Sequence, residues 1–309
     1  MYQLPLYEML KRMVLKNVVL SIVFIFCIAE ISFAQNKNIQ PVVNYDSLRM
    51  LGNLIQHGEN DSTRISANRI FQKQLRSLLQ QDAPLPLDSV KNISVLKAPD
   101  NSFTLFTWQL PSYEGSYSFF GFIQMFNKKT GKTRIIELLD STSGINNPEA
   151  AKLYADKWYG AVYYKMLTNK KDGKTFYTLL GWKGNNPLTT QKVIEVLFFS
   201  DDKIFFGYPL FKTGHVYKNR LIFDFASQAT MLLGYEENKK MIVFDHLSAG
   251  KKNQDVALVK GPDGTYDGLE FTNGHWELLE DVDVNAGYTP KPEKVKPLKD
   301  DEVKRKGEK

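Results

Sequence analysis

Between residues 158 and 246, strand-like runs are separated by turns only a few residues long, and this spacing limits the topology more than any other feature of the chain. Phe176-Tyr177-Thr178-Leu179-Leu180-Gly181-Trp182 follows an earlier apolar run through Asn169-Lys170-Lys171-Asp172-Gly173-Lys174. Asp-Gly suits a tight hairpin because both residues tolerate positive φ. Ser200-Asp201-Asp202, Ala226-Ser227-Gln228-Ala229 and Glu236-Glu237-Asn238-Lys239 separate the runs that come after it. A parallel crossover needs a dozen or more residues, so such short connections join antiparallel neighbours. The predicted fold is therefore mainly β, an antiparallel meander built as a sandwich or bent sheet.

Strands are predicted at 103–110, 117–126, 133–139, 160–167, 175–182, 191–199, 203–206, 220–225, 230–235 and 240–245, with weaker ones at 255–259, 266–271 and 275–279. In 191–199, Val193, Leu197 and Phe199 alternate with Ile194, Val196 and Phe198, and only Lys192 and Glu195 are charged. A strand apolar on both sides is central in a sandwich or covered by a helix. The turns near Gly131, Gly173, Asp202, Asn238 and Gly264 are irregularly spaced, whereas a propeller repeats every 40–45 residues or so. A degenerate propeller is thus the lesser alternative. The aromatic residues read as core rather than as a ligand groove.

Outside this body the pattern changes. Leu48, Leu51, Leu54 and Ile55 recur at helical spacing, Gly58 suits a C-terminal cap, and Asn60 or Asp61 can cap a second helix carrying Ala67, Ile70, Phe71, Leu75, Leu78 and Leu79. Asn147-Pro148-Glu149 reads as the start of a further short helix reaching Lys157. At the N-terminus, Lys11, Arg12 and Lys16 precede an apolar stretch at 18–29 and the small residues of Ser32-Phe33-Ala34, the order of a cleaved export signal. The apolar stretch is too short for an anchor, so no transmembrane segment is expected after cleavage. Residues 289–309 carry three prolines and eight Lys/Arg against five Asp/Glu, and read as a disordered tail. The organisation is a signal at 1–34, a helical segment at 35–84 packed on the sheet, an antiparallel β domain at 85–288 and the tail.

The net charge of +6 owes half its excess to that tail, so composition gives no footprint for nucleic acid. The one cysteine, Cys27, lies in the signal. Phe26 stands where a lipoprotein signal needs a small residue. A mature chain without cysteine excludes disulfides, thiolate catalysis and cysteine-ligated metal, and export without disulfides fits a periplasm or outer surface.

Candidate chemistry is sparse. Asp245 and His246 end a strand, but adjacent strand residues face opposite ways, so each needs another partner. Asp263 and Asp267 lie in Gly261-Pro262-Asp263-Gly264-Thr265-Tyr266-Asp267-Gly268, which turn chemistry alone would explain. With His246 or His215 converging in a cleft, these acids would support a hydrolase. Asp281, Asp283 and Asn285 alternate like the opening of a calcium loop, but Ala286 and Pro292 stand where its glycine and glutamate belong. Calcium is the only cofactor the sequence suggests. His57, His215, His246 and His275 show no ligand-pair spacing, and no nucleophile elbow, phosphate-binding loop or dinucleotide fingerprint is present.

Tyr163-Tyr164-Lys165, Tyr177-Thr178-Leu179-Leu180-Gly181-Trp182, Phe206-Gly207-Tyr208-Pro209 and Met241-Ile242-Val243-Phe244-Asp245-His246-Leu247, with the 261–268 segment, resemble an uncharacterised family of exported Bacteroidota proteins. That resemblance spans roughly residues 158–284 and implies location without an activity. The expected function is an exported, non-catalytic envelope module that binds a partner protein or glycan, the alternative being a periplasmic hydrolase.

Overall fold

A computed structural model describes residues 45–81, 92–127, 130–201, 203–249 and 260–284. The signal at 1–34, the strand expected at 255–259, Asn285 and the tail at 289–309 lie outside the described residues.

Two helices come first, α1 (Tyr45–His57) and α2 (Asp61–Gln80). Their junction follows the sequence: the Gly58 amide bonds to Leu54 O at 2.9 Å, and the Asn60 side chain caps α2 by accepting from the Thr63 amide at 2.9 Å. Leu48, Leu51, Ile55, Phe71, Leu75 and Leu79 are buried as one apolar seam. The seam lies on a sheet of order β1-β2-β3-β4, formed by β1 (Ser94–Lys97), β2 (Phe103–Pro111), β3 (Tyr117–Asn127) and β4 (Lys132–Leu139). Trp108 anchors the contact, donating its indole N–H to Asn68 Oδ1 at 2.8 Å and meeting the Phe71 ring edge-on at 5.3 Å.

The second sheet contains β5 (Leu153–Tyr154), β6 (Val162–Lys171), β7 (Lys174–Gly184), β8 (Thr189–Ser200) and β9 (Lys203–Phe206), in the order β5-β9-β8-β7-β6. The hairpin β10 (Phe211–Thr213) and β11 (Val216–Lys218) belongs to a third sheet, after which β12 (Arg220–Ala226) returns to pair with β8. β13 (Leu233–Glu236), β14 (Met241–Ala249), β15 (Lys260–Thr272) and β16 (His275–Leu279) complete the third sheet, ordered β11-β10-β16-β15-β14-β13.

The two-faced pattern of 191–199 is realised as central position. Val193 and Leu197 enter one apolar cluster with Leu105, Phe119 and Ile123 of the first sheet. Ile194, Val196 and Phe198 enter another with Ile242, Phe244, Leu269 and Trp276 of the third. The second sheet is therefore covered on both faces, and period-two alternation sorts its residues between the two cores.

Three expectations are corrected. The helix expected at 147–157 is a single turn followed by β5 and a short 3-10 turn at Ala155–Lys157. Asn147 sits at φ 47°, and the carbonyls that would continue a helix are taken elsewhere: Glu149 O accepts from the Asn219 amide at 2.8 Å, and Ala151 O from Arg220 Nη1 at 3.0 Å. Residues 220–225 and 230–235 are not hairpin partners, because β12 joins β8 while β13 pairs with β14. Among the described strands pairing is antiparallel except at β10 and β16, which run parallel with Phe211 opposite Trp276, and an isolated parallel bridge joins Asp140 to Trp158. The β10–β16 pair is remote in sequence, so short-turn reasoning does not reach it.

Candidate functional site

A cleft of about 490 Å³ opens where β12 of the second sheet meets β14 and β15 of the third. Its walls are Ile222, Phe223 and Asp224 on one side and Phe244, Asp245, His246, Leu247, Lys260 and Asp267 on the other, with Thr189 at one end. The edge strand β13 pairs with β14 from Met241 to Phe244, and just beyond it the Asp245 amide donates to Leu232 O at 3.2 Å. Register then slips: Asp245 lies opposite Tyr266 but Leu247 lies opposite Pro262, so β15 bulges through Asp263-Gly264-Thr265. Gly264 makes the excursion at φ +94°, where a side chain would be strained.

The bulge decides where the candidate residues point. Asp245 is buried, with Oδ2 accepting from the Leu232 amide at 2.7 Å, so it fastens the approach to β13. His246 turns to the cleft, its side chain 45% exposed, and its Nδ1 lies 2.8 Å from Asp267 Oδ2. The carboxylate fixes the proton on Nδ1 and leaves Nε2 facing outward. The hydrogen bond to Asp267 raises the imidazole above its ordinary pKa. Asp267 is mostly buried, and its other oxygen accepts from the Asp281 amide at 3.3 Å. Asp263 accepts from the Thr265 amide at 3.0 Å and hydroxyl at 2.8 Å, and these bonds hold its carboxyl below the usual range.

The structure thus brings His246 and Asp267 together, sets Asp245 in the same cleft, and leaves Asp263 on the bulge. His215 sits on the exposed turn between β10 and β11, and His275 packs beside Tyr217 at 5.7 Å. Asp281 spends its amide on Asp267, and Asp283 offers its carbonyl to Lys239. Among the described residues no group of three His, Cys, Asp or Glu is placed to hold a metal ion.

A second polar cluster lies wholly inside, between the first and second sheets. Glu195 and Arg220 are directly opposed across β8 and β12, and neither side chain is exposed to solvent. Arg220 Nε donates to Glu195 Oε1 at 2.6 Å, and its Nη1 donates to Pro148 O and Ala151 O. The Tyr163 hydroxyl donates to Glu195 and accepts from the Trp158 indole at 2.9 Å; burial, with the Glu195 charge beside it, pushes that phenol well up. Lys183 Nζ, also buried, donates to Thr142 Oγ1 at 2.8 Å, Tyr159 O at 2.7 Å and Gly160 O at 2.8 Å. It lies 4.3 Å from the centre of the Phe119 ring. Burial lowers its pKa to about 8, against the opposing pull of Asp140 and Glu195. Gly160, at φ +69°, passes close to Asp140, whose carboxylate a Cβ would meet at 2.7 Å. Sequence reasoning did not identify this cluster. The available signal was Glu195, a charge in the middle of a strand apolar on both faces.

Comparison of the chain with protein-family models, curated proteins and solved structures gives no match.

Proposed function

We propose that the protein is a non-catalytic binding module of the cell envelope, exported by the signal read at 1–34, and that the cleft between β12 and β14–β15 takes a glycan of that compartment. The observation that carries this reading is the way the acids of the cleft are held. Asp245 is fixed by the Leu232 amide, and Asp267 by His246 and the Asp281 amide. Their remaining lone pairs are fixed acceptors beside the apolar side chains of Ile222, Phe223 and Leu247. Oriented polar groups on an apolar wall suit a ligand with hydroxyls on its edges and C–H groups on its faces.

The hydrolase alternative draws on one observation, the His246–Asp267 pair. A glycosidase also needs a carboxyl that keeps its proton near neutral pH. Asp263 is shifted the opposite way. Calorimetry with oligosaccharides prepared from bacterial envelopes is expected to show saturable binding that Phe223→Ala and Asp224→Ala weaken. Release of new reducing ends by the protein, abolished in His246→Ala, would replace this reading with the hydrolase. Cell fractionation tests the location, and retention in the cytoplasm would overturn it.

A further inference from the structure

A separate opening lies where the turn between β7 and β8 meets the chain that runs from β12 to β13. Strand register sets its composition. Trp182 stands opposite Lys192 across β7 and β8, and two residues along Thr190 stands opposite both Gly184 and Phe225. Alternation directs all of these to one face of the second sheet. Gly184 makes room for the Tyr117 ring, which a Cβ there would meet at 2.2 Å, and Tyr117 meets Trp182 edge-on at 5.3 Å. The segment 227–231 is tied over the turn, the Ser227 amide donating to Leu188 O at 2.9 Å and its hydroxyl to Pro187 O at 2.8 Å. About 250 Å³ stays open between these parts, and Thr189 is the one lining residue shared with the glycan cleft.

Among the described residues the one charged side chain lining this opening is Lys192. Its Nζ lies 4.8 Å from the centre of the Tyr164 ring, which is held by its own hydroxyl donating to Leu233 O at 3.0 Å. Buried Lys183 has three oxygen acceptors, but Lys192 has no carboxylate partner among the described residues, and burial lowers its pKa with no neighbouring charge opposing the effect. The loops of this end, 112–116, 185–188 and 227–231, carry a single acid, Glu114, which is exposed and outside the lining. The other polar groups are neutral and offer both hydrogen-bonding senses. Asn186 Oδ1 accepts from the Leu188 and Thr189 amides, each at 2.9 Å, which fixes the side chain and leaves Nδ2 as a donor. Ser227 and Thr190 give their protons to Pro187 O and Lys183 O, so their oxygens remain as acceptors.

We propose that this opening is a second binding site, beside the glycan cleft, and that it takes a sugar acid, one pyranose ring carrying one carboxylate. The carboxylate meets the Lys192 ammonium, ring C–H groups lie against Trp182 and Phe225, and hydroxyls pair with Asn186, Thr190 and Ser227. A cavity of about 150 Å³ takes benzene, so the room here suits one substituted six-membered ring. A neutral sugar would leave the ammonium without an anion, and an aromatic acid would leave the neutral polar groups without partners.

NMR titration of the full chain with glucuronate, methyl glucoside and benzoate tests the assignment. Glucuronate is expected to saturate one site, with each of the other two probes about tenfold weaker or more. Lys192→Met keeps the apolar stem and removes the charge, and is expected to weaken glucuronate about tenfold, to the level of methyl glucoside. Thr230→Tyr, at an exposed lining position, is expected to fill the opening and abolish binding, which keeps the test decisive if Lys192→Met disturbs the fold. His246→Ala, in the glycan cleft, should leave glucuronate affinity unchanged, so the two sites fail separately. Absence of glucuronate binding, equal affinity for either other probe, indifference to both Lys192→Met and Thr230→Tyr, or loss in His246→Ala would each overturn the proposal.

Discussion

The two faces of the second sheet solve the same burial problem in different ways. Toward the third sheet, Phe176, Leu180, Ile194 and Val196 pack against Ile242, Phe244 and Leu269, and Thr178 Oγ1 there accepts from Trp276 Nε1 at 2.9 Å and donates to Asn169 Oδ1 at 2.8 Å. Toward the first sheet, the same strands carry Lys183 and Glu195, and β12 adds Arg220. The hydrocarbon face gains stability from area removed from water and is indifferent to which apolar group sits where, provided volume is kept. The charged face gains little net stability over a hydrophobic replacement, but every group in it must find one partner, so it penalises any other register. The pair Arg220–Glu195 fixes β12 on β8 at a point where local sequence would have allowed a hairpin with 230–235.

The contrast is sharpest in the cost of removing one side chain. Glu195→Ala is expected to destabilise by about 3–5 kcal/mol in urea unfolding, because it leaves the Arg220 guanidinium buried and unpaired. The double replacement Glu195→Leu with Arg220→Met should recover most of that loss. A cost below about 1 kcal/mol for the single change would mean that water reaches the pair and that the distinction between the faces fails. On the apolar side, Leu180→Ala should cost about 2–4 kcal/mol, and Leu180→Met far less, since only volume and transfer energy are at stake.

A smaller effect separates the faces by pH. Folded Lys183 titrates near 8 against an ordinary 10.5, so between these values the unfolded chain holds a proton that the folded one has released, and stability rises with pH. The gain should reach about 2 kcal/mol by pH 10 and vanish in Lys183→Met. Above pH 10 the sign reverses. Tyr159, which burial pushes up to about 12, and Tyr163 stay protonated when folded, while unfolded phenols ionise. Melting curves across pH 7–11 check both halves, and a monotonic fall from pH 8 would contradict the assignment.

The smallest expected effect is at the cleft, which belongs to neither core. His246→Ala should leave the unfolding midpoint within error of the wild type, since the ring is half exposed. Its titration should still show the pairing: NMR of the imidazole is expected to give a pKa above the ordinary 6.5 that Asp267→Asn brings down. The stability this pair adds is present below pH 6.5 and fades as pH rises through the folded value. An imidazole unmoved by Asp267→Asn would separate the two residues and remove the hydrolase alternative with them.

Much of the site was legible only in outline. Asp245 and His246 stand out in the sequence as the expected end of a strand, which the structure instead carries on to Ala249; alternation requires them to seek different partners, as they do with Leu232 and Asp267. Which partners could not be read, because the pairing depends on a register slip between β14 and β15 that moves Pro262 opposite Leu247. Asp263 and Asp267 are alike in sequence context, yet the bulge puts one on its tip and the other against an imidazole. Glu195 was visible as an anomaly, but its partner Arg220 lies on a strand whose local pattern offered another neighbour.

The sequence by itself determined the elements whose causes are local. These are the capped turn from α1 to α2, hairpins such as β6–β7 at Asp172-Gly173, and the need for 191–199 to be covered on both sides. Those follow from dihedral preferences, short loops and period-two alternation within a few residues. Tertiary structure decided the rest: which sheet covers which face, the return of β12 to β8, the parallel contact of β10 with β16, and the dissolution of the helix expected at 147–157. Each depends on contacts with a distant segment, whether apolar packing, as where the first and third sheets cover the second, or a buried donor, as when Arg220 takes the carbonyls of Pro148 and Ala151, and no local window contains both halves of such a contact.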